Sequence, residues 1–211
     1  LTSPSLPIGG FSWSQGLEYA IDAGWLKNEA DTRAWLQGLI VNSLANLDVP
    51  VLCRLHAAAA ASCADSMKQW NEIILASRET SELYLEDTQM GAALRRLLLD
   101  LGFFTEADFP EADISYLTGF AMAAVSKGVN SQSACIGFMW SWLENQIAAT
   151  LKAFPLGQTA GQRIFHGLAD DVVNAVQYGM ALDDEQIGNS MPGQIMASML
   201  HEEQYSRLFR S

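Results

Sequence analysis

The sequence is poor in basic residues. Only 12 lysines and arginines stand against 24 aspartates and glutamates, which gives a formal net charge of −12. Nucleic-acid binding depends on cationic side chains that neutralise phosphates, so this composition argues against a nucleic-acid partner. We expect instead an acidic, solvent-exposed surface and a neutral or basic protein partner.

Long apolar runs are also absent. No uninterrupted stretch approaches the roughly 18 residues that span a bilayer, and no signal-peptide pattern is visible. The three cysteines, Cys53, Cys63 and Cys135, form no C-x-x-C pair, which favours buried, reduced thiols over disulfides or a metal site. The sequence therefore predicts a cytoplasmic protein without a membrane partner.

The period-two alternation of a β-strand is missing, and no repeat is visible. Apolar residues recur instead at helical spacing, as in Met90, Leu94 and Leu98. We predict an all-α fold, a single compact domain over residues 1–211 built from about eight to ten mostly antiparallel helices. Residues 201–211 are predicted to be a partner-docking tail of this domain.

The opening stretch, residues 1–20, is rich in proline and glycine and predicts a shaped loop leading into a helix. Residues 4–10 are expected to form an ordered lead-in. Ser12 and Gln15 fit a capping box that would start the first helix, and Gly24 would end it.

Other helix boundaries follow from capping residues. Asn28 or Asp31 is expected to begin a second helix, and residues 48–50 (Asp-Val-Pro) a third. A long helix is predicted over residues 131–153. The longest irregular connection, residues 102–113, is predicted to be a mobile or partner-facing loop.

A catalytic function finds little support in the opening stretch. A nucleophile elbow requires G-x-S-x-G after a strand, but Ser12 lacks the second glycine and Ser14 lacks the first. A phosphate-binding loop requires a lysine, and the first lysine is Lys27. The alternative that stays open is a helical serine-dependent hydrolase that uses Ser12 or Ser14, with His201 as the base.

Metal-binding patterns are missing too. His56, His166 and His201 lie on three different predicted helices, and none has a second histidine three or four residues away. We therefore predict no metal site and no cofactor of the chain's own. His201, in the tail, is the histidine most suited to contact a ligand or a partner.

Two further segments have charged residues in regular positions. Glu79, Glu82 and Glu86 recur beside Arg78 at helical spacing, which is typical either of a solvated face or of a polar contact surface. The ending, residues 205–211, alternates aromatic and apolar residues with arginines. Such an end is costly to expose, so we predict that it docks on a partner rather than on its own chain.

Four separated motifs lie in order along essentially the whole chain: SPSLPIGGFSWSQGLEYA (residues 3–20), RETSEL (78–83), FPLGQTAGQR (154–163) and HEEQYSRLFRS (201–211). Together they resemble the UreF family of urease accessory proteins. The resemblance implies an all-helical, non-catalytic scaffold that forms a homodimer. It also implies binding to UreD (UreH in some systems), recruitment and modulation of the GTPase UreG, and help in nickel delivery to apo-urease, formed by UreA, UreB and UreC.

The resemblance also implies which residues meet partners. The tail would lie on the UreD side and the first helix near the UreG surface, while nickel and GTP with magnesium would be handled by the partner assembly. A direct nickel carrier that uses His166 or His201 remains a further hypothesis. The predicted partner-binding residues are Ser12, Trp13, Ser14, Glu18, Arg78, Glu79, Lys152, Gln158, His201, Glu202, Tyr205, Arg207, Phe209 and Arg210.

Overall fold

The computed structural model describes residues 1–3, 6–110 and 113–210. Within these ranges the chain forms helices and no strand, which confirms the all-α prediction. Parts of the predicted lead-in (residues 4–5), of the predicted loop (111–112) and of the tail (211) lie outside the described residues. The α-helices are α1 (Leu17–Asp22), α2 (Glu29–Leu39), α3 (Asp48–Ala60), α4 (Ala64–Ala76), α5 (Ser81–Asp100), α6 (Tyr116–Ser126), α7 (Ser131–Ala153), α8 (Gln158–Gly167), α9 (Ala169–Met180) and α10 (Pro192–Glu202).

The hydrophobic core surrounds α3, which packs against α4, α6, α7 and α9. Leu52 and Leu55 of α3, Phe120 of α6 and Leu143 of α7 are almost fully buried. Gly91 allows α5 to approach the start of α6, because a Cβ at this position would lie 2.0 Å from the Ile114 carbonyl oxygen.

Several predicted helix boundaries are confirmed. Asn28 caps α2, since its Oδ1 accepts a hydrogen bond from the Asp31 amide at 2.9 Å. α3 begins at Asp48 and has Pro50 in its first turn. The long helix α7 has the predicted bounds, and its N-cap is Asn130.

The start of the first helix was predicted wrongly. Ser12 ends a short 3-10 helix (Gly10–Ser12), and α1 begins only at Leu17. Between them Gln15 and Gly16 adopt positive φ values of 55° and 80°. The side chain that reaches into the first turn of α1 is Ser14, whose Oγ accepts a hydrogen bond from the Glu18 amide at 3.3 Å.

The predicted loop over residues 102–113 is partly packed. It contains a 3-10 helix (Glu106–Asp108), and Phe109 is only 6% exposed. The Phe109 ring lies 5.7 Å from the Phe104 ring, centroid to centroid. A partner-facing role for the rest of this loop stays a prediction.

In the ranges that the structure describes, no single helix is both long and apolar enough to cross a membrane. Within these ranges, one pair of successive helical segments, Glu29–Leu44 and Asp48–Ala60, together reaches the length and composition of a membrane span, with a bend of 45° between them.

Candidate partner-binding site

The start of α1 lies directly against α10. A Cβ on Gly16 would fall 2.7 Å from the Ser198 amide nitrogen and 3.0 Å from Ala197, so only glycine fits there. The φ of 80° at Gly16 favours glycine as well. This close approach brings the opening stretch of the sequence to the helix that precedes the C-terminal tail.

Glu18 joins α1 to the tail. Its carboxylate accepts hydrogen bonds from the backbone amides of Leu208, at 2.7 Å, and Phe209, at 3.0 Å. It also lies 3.1 Å from Nε2 of His201, and its side chain is only 7% exposed. One buried carboxylate therefore holds two segments that are separated by nearly the whole chain.

His201 is fully buried between two carboxylates. Its Nδ1 lies 3.0 Å from Oε2 of Glu82, opposite the contact between Nε2 and Glu18. Arg207 of the tail also binds Glu82, with Nη1 3.0 Å from Oε1. Burial alone would lower the pKa of His201, but the hydrogen bonds and charges of Glu82 and Glu18 outweigh burial and raise it. We call Glu18, Glu82, His201 and Arg207 the junction cluster.

The junction cluster should make the stability of the fold depend on pH. Because the pKa of His201 in the folded state is raised above its ordinary value of 6.5, protonated His201 stabilises the fold fully below about pH 6.5. This contribution is lost as the pH rises through the raised pKa. In urea unfolding, the stability difference between the wild type and His201→Gln is therefore expected to be larger at pH 6 than at pH 9. A difference that stays constant or grows with pH would contradict the assignment.

The last described residues of the tail pack on their own chain. Phe209 is 6% exposed, and Nζ of Lys152 lies 4.4 Å from the centre of its ring. The Arg210 amide donates to the Ser12 carbonyl oxygen at 2.8 Å. Its guanidinium donates to Oε1 of Gln89 at 3.0 Å and lies 5.9 Å from the centre of the Trp13 ring. The expectation that the tail does not pack on its own chain is thus wrong for Arg207, Phe209 and Arg210.

Two large hydrophobic side chains of the tail are exposed. Tyr205 is fully exposed, and Leu208 is 57% exposed. Glu202, at the end of α10, is also exposed and accepts a hydrogen bond from Oγ of Ser81 at 2.5 Å. Gln158 is exposed at the start of α8. Partner binding by these residues stays a prediction.

Arg78 is largely buried against two carboxylates of its own chain. It binds Oδ1 of Asp48 and Oδ2 of Asp87, each at 2.8 Å. Burial alone would lower the pKa of Arg78, but the two carboxylates outweigh burial and raise it above its ordinary value. Glu82, four residues later, binds Arg207 and His201 and not Arg78. The contact-surface hypothesis stays a prediction only for Glu79, which is exposed.

The other two carboxylates of the predicted acidic row are also buried, so the solvated-face interpretation is wrong for them. Glu82 is 6% exposed and Glu86 is 9% exposed. Gln15 donates to Oε1 of Glu86 at 2.9 Å and accepts from the Trp142 indole at 2.9 Å. Burial raises the pKa of Glu86 to about 8, although the hydrogen bond from Gln15 and the charge of Arg78 oppose the rise.

Sequence reasoning missed several of these internal partners. Glu82 and Glu86 were grouped with exposed Glu79, while Gln15, Asp48 and Asp87 were not assigned to any site. A usable signal was present for two of them: Glu82 and Glu86 continue, at spacings of four, the apolar stripe of α5 that includes Met90.

The structure does not support the hydrolase alternative. Both ring nitrogens of His201 lie at carboxylates, so neither is placed to take a proton from Ser12 or Ser14. Ser14 is buried and bonds to the Glu18 amide. A direct nickel carrier would need a ring nitrogen of His201, and both of these nitrogens are engaged by the carboxylates of Glu18 and Glu82. His166, the other candidate, is exposed on α8.

Two of the cysteines meet in the core. Sγ of Cys53 on α3 lies 3.5 Å from Sγ of Cys135 on α7. Cys63 is exposed, so the expectation of buried thiols is wrong for this residue. In the described part of the chain, no three His, Cys, Asp or Glu residues are grouped so that they could hold a metal ion.

Comparison with known proteins identifies the family. The UreF family model matches residues 26–169. This chain belongs to the UreF family. It is 46% identical to the urease accessory protein UreF of Alkalilimnicola ehrlichii, over 100% of this chain and 93% of that protein. The UreF proteins of Chromohalobacter salexigens and Marinobacter nauticus are 45% and 44% identical, again over the whole of this chain and over 92% and 91% of theirs. These relatives are named as urease accessory proteins.

Proposed function

We propose that this chain is a non-catalytic scaffold for urease maturation. In this proposal it forms a homodimer, binds UreD (or UreH), and recruits and modulates the GTPase UreG at apo-urease, which consists of UreA, UreB and UreC. The family membership supports the link to urease. The single observation that carries the scaffold role is the junction cluster, because it holds the two segments assigned to partners, α1 and the tail, against each other.

The surface around the junction has the composition of a protein-binding site. Met196, Met199 and Leu200 of α10 are 53%, 57% and 39% exposed, and they precede the exposed tail residues Tyr205 and Leu208 in the sequence. Exposed methionine, leucine and tyrosine side chains supply apolar contact area to an interface at modest cost in the unbound state. We assign this apolar surface to UreD.

The proposal leaves nickel, GTP and magnesium to the partner assembly and places the chain in the cytoplasm. UreG would meet the 3-10 helix Gly10–Ser12, in which Phe11 is 68% exposed. In this arrangement Ser12, Trp13 and Ser14 act through the loop conformation that they stabilise, since Trp13 and Ser14 are buried.

The UreD assignment predicts that the double variant Tyr205→Ala, Leu208→Ala binds UreD at least roughly tenfold more weakly, as expected for the loss of interface anchors. Its stability in urea should match that of the wild type, because both side chains are exposed. Deletion of residues 202–211 should abolish binding altogether. Affinity is measured with purified UreD by calorimetry, and complex formation by co-purification.

Tyr178→Ala on α9 is the matched control, since Tyr178 is 54% exposed and lies outside α10 and the tail. It should bind UreD as the wild type does. Normal complex formation by the truncated chain would reject the assignment of the tail, whereas equal losses in the double variant and in Tyr178→Ala would reject the assignment of this surface.

A further inference from the structure

Among the buried oxygens that lack a hydrogen-bond donor within the described residues are three carboxylate and amide oxygens on α3, α5 and α7. They are Oδ2 of Asp48 on α3, Oε2 of Glu86 on α5 and Oε1 of Gln146 on α7. The three residues are 2%, 9% and 2% exposed. Buried polar atoms are paired in the great majority of cases, so three unpaired acceptors on three helices require an explanation.

All three residues line one cleft. It has a volume of about 90 Å³ and lies between the opening stretch and helices α3, α5 and α7. Glu79 and Asn189, which are exposed, belong to its lining and mark the side that opens to solvent. The volume suits a group of a few non-hydrogen atoms and not a large ligand.

The lining of the cleft has an excess of negative charge. Four carboxyl groups, those of Asp48, Glu79, Glu86 and Asp87, face a single cation, Arg78. Arg78 is already committed to Oδ1 of Asp48 and Oδ2 of Asp87, so it does not reach the unpaired oxygens of the cleft.

Aromatic side chains complete the lining. Trp13, Tyr116, Phe138 and Trp142 all contribute to it. Aromatic faces attract cations through the ring quadrupole, and carboxylate and amide oxygens accept hydrogen bonds from N–H groups. The combination of unpaired acceptors, excess negative charge and aromatic rings fits a nitrogen cation that carries several N–H donors.

We propose that this cleft binds a small organic cation, an ammonium or guanidinium group, with Glu86, Asp48 and Gln146 accepting its hydrogen bonds. The group belongs either to a free small molecule or to a lysine or arginine side chain of another protein. The proposal does not depend on the role in urease maturation, and its test uses this chain alone.

The ionisation of Glu86 makes cation binding pH-dependent. Its carboxyl faces Gln15 of the opening stretch and Asp48 of α3. It also faces Arg78, which precedes α5, and Asp87, which lies on α5. Burial, together with the charges of Asp87 and Asp48, raises its pKa to about 8 against the opposing effects of Gln15 and Arg78. A cation binds the ionised carboxylate better than the protonated one, so affinity should increase as the pH rises from 6.5 to 9.

The test is calorimetric titration of the full chain with methylguanidinium chloride at pH 9, with tetramethylammonium chloride at the same ionic strength as the control without N–H donors. We expect one site for methylguanidinium, weaker binding at pH 6.5, and no comparable site for tetramethylammonium. Glu86→Gln should weaken binding roughly tenfold or more, because it removes a charged acceptor. Gln146→Leu, which removes a neutral acceptor, should weaken it several-fold.

Glu185→Gln, an exposed position outside the cleft, is the matched control and should bind as the wild type does. If Glu86→Gln does not fold, Gln146→Leu decides. Failure of the wild type to bind methylguanidinium, or binding that neither cleft variant weakens, would overturn the proposal. Tighter binding of the capped peptide acetyl-Gly-Arg-Gly-amide than of methylguanidinium would identify a protein side chain as the ligand, and equal or weaker binding a free small cation.

Discussion

Replacing Glu18 with glutamine is expected to lower the free energy of unfolding by about 3–5 kcal/mol and to release the tail from α1. The Glu18 carboxylate accepts two backbone N–H bonds and lies against His201, and its side chain is only 7% exposed. A neutral amide keeps the shape of the side chain but removes the charge and turns one acceptor into a donor. It therefore leaves buried donors without an acceptor, which is the costly outcome.

Urea unfolding measures the stability loss, and hydrogen exchange of the Leu208 and Phe209 amides reports release of the tail. Both amides should exchange much faster in Glu18→Gln than in the wild type. Glu203→Gln is the matched control, because Glu203 is exposed at the end of α10 and should tolerate the change. Unchanged protection of both amides in Glu18→Gln would show that this carboxylate does not hold the tail.

Replacing Arg78 with glutamine is expected to destabilise the fold by a similar amount, about 3–5 kcal/mol. The substitution leaves Asp48 and Asp87 buried with no cation, and both are at most 5% exposed. Asp87 also accepts a hydrogen bond from the Tyr116 amide at 2.6 Å, so its disturbance reaches the start of α6.

Thermal and urea unfolding of Arg78→Gln provide the measurement. The control is Arg96→Gln, since Arg96 is 85% exposed and its 3.9 Å contact with Asp100 should contribute little. If Arg78→Gln left the stability unchanged but abolished self-association in light scattering, this would contradict the internal role. Arg78 would then act at the contact between two copies of the chain.

Much of the fold follows from local sequence signals. The caps at Asn28 and Asn130 and the proline in the first turn of α3 act over one helical turn, so sequence alone places these helix starts well. The start of α1 was misplaced because two serines, Ser12 and Ser14, precede it. The choice between them depends on the left-handed turn at Gln15 and Gly16, which in turn depends on the contact of Gly16 with α10.

The site was harder to predict because its bonds are long-range. Sequence reasoning selected Glu18, His201 and Arg207, but it assigned them to partners and not to one another. Nothing in a single sequence shows that the Glu18 carboxylate accepts hydrogen bonds from amides about 190 residues later. The contacts of Arg78 were missed for the same reason, since Asp48 lies 30 residues before it, at the start of α3.

The most direct test of the proposed scaffold role is co-expression of this chain with UreD and UreG, followed by size-exclusion chromatography with light scattering. The account predicts a single complex that contains all three proteins and two copies of this chain, and that supports activation of urease in the presence of nickel and GTP. Elution of this chain alone as a monomer, with UreD and UreG in other fractions, would contradict it.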